Sequence, residues 1–181
     1  MEELLKIKKV HFGTTSVEFS RTCKQLCEIC NILAVYYLKK EDINSALDLL
    51  KKSEELCENN ELGQAMTYNN MACYYRRIGK MRTALNFLQR ALTIESRLQK
   101  PEIQADTHLN ICAVLSQLNK HELALNHAMS AVILLQEMML SKRLDPAAFE
   151  QDAEEEMNLP AETSKDRTAV LAIAYHNMGV E

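Results

Sequence analysis

Residues 68 to 91 read Tyr-Asn-Asn-Met-Ala-Cys-Tyr-Tyr-Arg-Arg-Ile-Gly-Lys-Met-Arg-Thr-Ala-Leu-Asn-Phe-Leu-Gln-Arg-Ala. Apolar residues recur at helical spacing on both sides of Gly79, so the stretch writes two amphipathic helices joined by a short turn. Small residues stand where the two helices must touch, at Ala72, Ala84 and Ala91, and large apolar ones fill the space between them. The frame is Tyr68-x2-Met71-Ala72-x2-Tyr75, the turn at Gly79, then Ala84-x3-Leu88-x2-Ala91.

The frame recurs. Upstream it reads Cys30-x2-Leu33-Ala34-x2-Tyr37 and Ala46-x3-Leu50-x2-Ser53; downstream it reads His108-x2-Ile111-Cys112-x2-Leu115 and Ala124-x3-Ala128-x2-Ala131. A half copy, Tyr175-x2-Met178-Gly179, closes the chain. This pattern resembles the tetratricopeptide repeat. Ala46 and Ala84 are 38 residues apart and Ala84 and Ala124 are 40 apart, both longer than the usual 34 of that repeat. The excess is assigned to helix ends, which makes the repeats similar to the lengthened ones of kinesin light chain and the LGN-type scaffold proteins. The fold this resemblance implies is all-α, a right-handed α-solenoid of antiparallel helix pairs. Each pair cannot bury its apolar side alone, so neighbours stack.

Segment boundaries follow from the breakers. Residues 1–14 form an N-terminal extension, with a short helix that Gly13 stops. Thr15-x-x-Glu18 reads as a capping box for the first long helix. Residues 15–140 hold three helix pairs, over about 16–58, 61–99 and 101–140; Asn59 and Asn60 separate the first two, and Pro101 suits the first turn of the third. Residues 141–166 carry Pro146, Pro160 and eight acids against three bases, which predicts a solvated acidic insertion. The remainder holds 17 acids and 18 bases and is nearly neutral. Residues 167–181 restart the first helix of a fourth pair. An open half repeat needs a polar cap, so the reading expects the chain to belong to a longer protein, and the open end offers a route to self-association.

Composition excludes several functional classes. Only 4 Gly and 3 Pro among 181 residues fit an all-helical chain, and a net charge of −4 gives no reason to expect nucleic acid. No uninterrupted apolar run reaches the roughly 18 residues of a membrane span, and the acidic N-terminus is no secretory signal. A cytoplasmic setting is expected, with the cytoskeleton or cilium as candidate locations. Cys23, Cys27 and Cys30 lie on one helical stripe without the C-x2-C pairs of a zinc site, so the six cysteines read as packing thiols. No phosphate loop, dinucleotide fingerprint, H-E-x-x-H or G-x-S-x-G is present. The expectation is a non-enzyme with no cofactor and no metal, in which His108 packs in place of Tyr68.

One polar feature repeats at a fixed place. Asn70, Asn110 and Asn177 each stand two residues after the first frame residue, although Asn is a mediocre helix-interior residue. In tetratricopeptide repeats this position looks onto the concave groove, where an amide can pair with both N–H and C=O of a bound peptide. The resemblance therefore implies a protein–protein interaction module with Asn70, Asn110 and Asn177 in the groove. Met66, Cys73 and Arg77 share the stripe of Asn70, and Asp106, Ala113 and Gln117 that of Asn110. In the first repeat the matching place is Ile32, with Asn31 beside it. Two other readings stay open: the Asn residues bond between helices and only set the stacking, or the solenoid is a scaffold wall using its convex face and edges.

Overall fold

The computed structural model describes residues 16–144 and, ahead of them, positions 3, 7, 9–11 and 13. The segments 145–166 and 167–181, and with them Asn177, lie outside the described residues. The architecture is all-α and of the helical-repeat kind: α1 (Val17–Lys39), α2 (Ile43–Leu56), α3 (Glu61–Arg77), α4 (Met81–Leu98), α5 (Pro101–Gln117) and α6 (His121–Leu144). They fall into two compact units, residues 1–98 with α1 to α4 and residues 99–181 with α5 and α6.

Local chemistry sets the helix ends. Ser16 caps α1 by accepting from the Phe19 N–H at 3.1 Å, one residue later than the Thr15-x-x-Glu18 pattern suggested. Asp42 caps α2 through the Ser45 N–H, and Asn60 caps α3 through that of Gly63. Inside each pair the turn uses one left-handed residue: Glu41 (φ 64°), Gly79 (φ 77°) and Asn119 (φ 56°). The following N–H then bonds back to the first helix, from Asp42 to Tyr37, Lys80 to Tyr75 and Lys120 to Leu115, at 2.9–3.0 Å. Glycine fits that conformation freely and Asn tolerates it; Glu41 holds it against its own Cβ.

The frame residues form the core. In unit 1, α1 packs on α2 and α3 on α4, while α3 also lies against both α1 and α2. Ala34, Leu38, Ala46, Leu50, Met71 and Tyr74 make one buried cluster, with Tyr37, Tyr75 and Phe87 packed against it. The small frame residues Ala46, Ser53, Ala84 and Ala91 are fully buried, which lets the helix backbones approach closely. Gly63 belongs to the same close packing, since an added Cβ would stand 2.7 Å from the Asn60 amide nitrogen and 3.1 Å from the Cys57 Cβ.

In unit 2, Ala105, Leu109, Ala131, Val132 and Leu135 form the core between α5 and α6. Residues 121–140 of α6, with a mean hydropathy of 1.3, are long and apolar enough to cross a membrane by length and composition alone. Ala124, Ala128, Ala131, Val132, Leu135 and Met138 of that stretch are buried, as in a core helix.

Candidate functional site

Where α1, α2 and α3 meet in unit 1, the core turns polar. Cys27 and Asn31 come from successive turns of α1, Ser53 and Cys57 from the end of α2, and Thr67 from the middle of α3. Thr67, Ser53, Cys27 and Cys57 have no exposed surface and Asn31 retains 2%. The Asn31 amide donates to the Ser53 hydroxyl at 2.8 Å and to the Thr67 hydroxyl at 3.0 Å, with the Cys27 sulfur at 3.6 Å. Ser53 and Thr67 hydrogen-bond each other at 2.9 Å, and Thr67 donates to the Gly63 carbonyl at 2.7 Å. Buried polar groups are costly unless satisfied, and here each member satisfies another.

This network positions Asn70. Its amide nitrogen donates to the Asn31 Oδ1 at 2.9 Å, which uses one of its two N–H groups. Asn70 is half-buried, as are Met66 and Cys73 on its stripe, and Arg77 is exposed at the end of α3. Cys73 also packs against the buried core cluster of unit 1. The corresponding stripe of α1, one repeat of 38 residues earlier, is Glu28, Ile32, Val35 and Lys39. Ile32 there is 44% exposed, while the neighbouring Asn31 faces inward. The sequence has Ile32 at the matching place of the first repeat, so the Asn series starts at the second; the side chain that engages Asn70 is that of the neighbouring Asn31. On α5, Asp106, Asn110 and Ala113 are half-buried and Gln117 is exposed.

A second polar junction joins α3 to α4. Asn69 donates to the Glu95 Oε1 at 2.9 Å, and Glu95 has no exposed surface. Nearby, Arg90 stacks on the Tyr68 ring at 4.0 Å and donates to its hydroxyl at 2.6 Å, and Tyr75 stacks on Phe87.

In unit 2, His108 and His127 meet with their Nδ1 atoms 2.9 Å apart. His127 stands in the frame where Phe87 stands, and His108 where Tyr68 stands, so the imidazoles replace the Tyr68–Phe87 ring contact. Burial pushes His108 down to about 4, the neighbouring His127 adds to this, and burial lowers His127 as well. The sequence placed His108 in a packing role and left His127 dispersed; the structure pairs them. Among the described residues no cluster of three or more His, Cys, Asp or Glu is arranged to hold a metal ion.

Residues 27–96 match the family described as the tetratricopeptide repeat. Among solved structures, the fold is similar to that of BtubC (BKLC) from P. vanneervenii, with a TM-score of 0.60 and 20% identity over 98% of this chain and 77% of that one. A comparison with curated proteins finds no match.

Proposed function

We propose, from the tetratricopeptide repeats that residues 27–96 carry, that the chain is a non-catalytic interaction module which takes a peptide segment or partner helix on the face bearing Asn70. Tetratricopeptide repeats are in general protein–protein interaction modules. The observation that carries the finer reading is the fixed orientation of Asn70. Its amide is held by Asn31, itself fixed by two buried hydroxyls, so its remaining polar groups are set before any ligand arrives. Ordering side chains is one of the costs of association, and a preset amide lowers that cost. Met66 and Cys73 add apolar contact on either side, and Arg77 a charge at the end of the stripe. On α5 the repeat supplies Asp106, Asn110 and Gln117 at the same positions.

The structure alters which residue tests this reading. Asn70→Ala removes a bond to Asn31 as well as any ligand contact, so its effects on stability and binding are mixed. Arg77 and Gln117 are exposed. Arg77→Glu and Gln117→Ala are expected to leave the thermal melt unchanged and to reduce affinity capture of crosslinked partners at least tenfold. Capture equal to that of the parent chain would sink the proposal.

A second reading, a scaffold subunit that uses outer faces and edges, draws on the exposed apolar side chains of α1. Ile29, Ile32, Leu33 and Tyr36 are 37%, 44%, 39% and 52% exposed. In register they match Thr67, Asn70, Met71 and Tyr74 of α3, the side that α3 turns towards α1 and α2. An edge that repeats an internal packing surface suits contact with another helical element. Ile29→Glu with Leu33→Glu is expected to abolish partner capture if this edge is used and to leave it intact if the Asn70 face is used.

A further inference from the structure

The second and third helix pairs fill one shared contact with different rings. Tyr68 and Phe87 bring their rings together in unit 1, with centroids 5.8 Å apart. His108 and His127 hold the same frame positions in unit 2, with centroids 5.0 Å apart. The two histidines come from different helices, α5 and α6, and turn Nδ1 towards Nδ1 at 2.9 Å. A hydrogen bond between uncharged imidazoles uses the proton of one Nδ1 and the lone pair of the other. The contact therefore brings together two ring nitrogens, each able to ligate a metal.

We propose that His108 and His127 form a two-histidine site for a divalent transition metal whose ligands meet at about a right angle, Cu(II) or Ni(II), and that the bound ion clips α5 to α6. The distance selects the class of ion. Two imidazole nitrogens bound at about 2.0–2.1 Å and set at a right angle are about 2.8–3.0 Å apart, which includes the separation of the two Nδ1 atoms. Tetrahedral Zn(II) at the same bond length needs about 3.3–3.4 Å, so the rings would have to separate first. On binding, the ring that carried its proton on Nδ1 takes the Nε2–H form by exchange with water. Both imidazoles stay uncharged and no proton is released.

The surroundings suit an open site. Both rings are half-buried, so water can fill the positions of the ion that the two nitrogens leave vacant. Among the described residues no third His, Cys, Asp or Glu completes a cluster there, which makes the ion exchangeable rather than enclosed. Leu109 beside His108, and Ala131 one turn beyond His127, belong to the buried core of unit 2. The two backbones are thus held by packing, and only side-chain torsions adjust to admit the ion. The other described histidines, His11 and His121, are both exposed.

The test is calorimetric titration of the whole folded chain with NiCl2. One equivalent is expected to bind, and the thermal melt to rise with it. His108→Tyr with His127→Phe restores the ring pair of the second repeat, so this variant is expected to fold, which circular dichroism checks, and to bind Ni(II) at least tenfold more weakly. His127→Phe alone is expected to lose as much. Equal affinity in either variant, or no binding by the parent chain, would overturn the proposal. Zn(II) is expected to bind more weakly than Ni(II), and equal or tighter binding would overturn the choice of ion. A measurement on the parent chain keeps the site testable should the variants not fold. Substoichiometric Cu(II), which is paramagnetic, is expected to broaden the ring proton resonances of His108 and His127 before those of His11 and His121; the reverse order would also overturn it.

Discussion

Two polar junctions in unit 1 occupy the same register, 38 residues apart, and are built differently. Cys27, Asn31, Ser53 and Cys57 at the first correspond to Ala65, Asn69, Ala91 and Glu95 at the second. The asparagine is common to both and bonds to the second helix of its own pair in each, reaching Ser53 in one and Glu95 in the other. Around it the first junction uses small neutral groups that donate and accept in turn. The second replaces them with two alanines and one wholly buried carboxylate. The repeat frame thus dictates the shape of the seam and leaves its polarity to these few positions. A neutral network spreads its dependence over side chains of three helices that meet at Asn31, whereas the Asn69 amide donates to the Glu95 Oε1 and to the Ala65 carbonyl of its own helix.

The difference can be broken at its hub. Asn31→Ala should cost the most, about 3 kcal/mol, because it strips bonds from Ser53, Thr67 and Asn70 at once and an orphaned buried polar group costs about 1–3 kcal/mol. Urea unfolding measures it, and a loss below about 1 kcal/mol would contradict the hub. Asn69→Ala should cost less, about 1–2 kcal/mol, because it takes the side-chain donor from one buried acceptor, the Glu95 Oε1. If Asn69→Ala proved the costlier, the carboxylate junction rather than the neutral one would be the sensitive point.

Unit 2 extends the contrast through its histidines. His108 and His127 titrate below their ordinary range in the folded chain, so folding favours their neutral forms. The stability this pair contributes is therefore complete above about pH 6.5 and declines as pH falls from there, the share of His108 being lost by about pH 4. Discounted for the solvent that still reaches these half-buried rings, the loss is about 1 kcal/mol. His108→Tyr with His127→Phe, which restores the ring pair of the second repeat, should abolish this pH dependence in thermal melts. The smallest effect concerns the turns. Glu41→Gly relieves a left-handed residue that its counterpart Gly79 holds without strain, and should raise stability by about 0.5–1 kcal/mol. An unchanged melting curve would show that the turn was not strained.

Much of this was open to a reader of the sequence. The alanines at 46, 84 and 124 and the leucines and tyrosines around them specify antiparallel pairs because backbone contact demands small residues at fixed intervals. The functional position was harder. Ile32 is the register counterpart of Asn70, and a helix turns about 100° per residue, so the match does not show that the neighbouring Asn31 faces inward to meet Asn70. The polar seam had a visible signal, since Asn31 and Asn69 are one repeat apart and Ser53 stands where Ala91 stands, a polar group at a contact otherwise reserved for alanine. The histidine pair was equally visible once His127 was aligned with Phe87. The meeting of Asn31, Ser53 and Thr67 was not, because it depends on how α1, α2 and α3 come together, and no spacing within one helix encodes that. Asn177 lies outside the described residues and adds nothing to the comparison.

The turns that close each pair have a consequence for how the chain moves between its states. Every hairpin joins helices adjacent in sequence through a three-residue connection, and α3 also packs on α1 and α2. Contacts so local require little loop closure before they form, which favours folding on the microsecond to millisecond scale. The same locality divides the cooperativity. Amide hydrogen exchange should show α5 and α6 gaining and losing protection together, on a schedule separate from the four helices of unit 1. The slowest amides of unit 1 should lie in α1 and α3, around Asn31 and Thr67, where opening one helix strands the polar groups of two others.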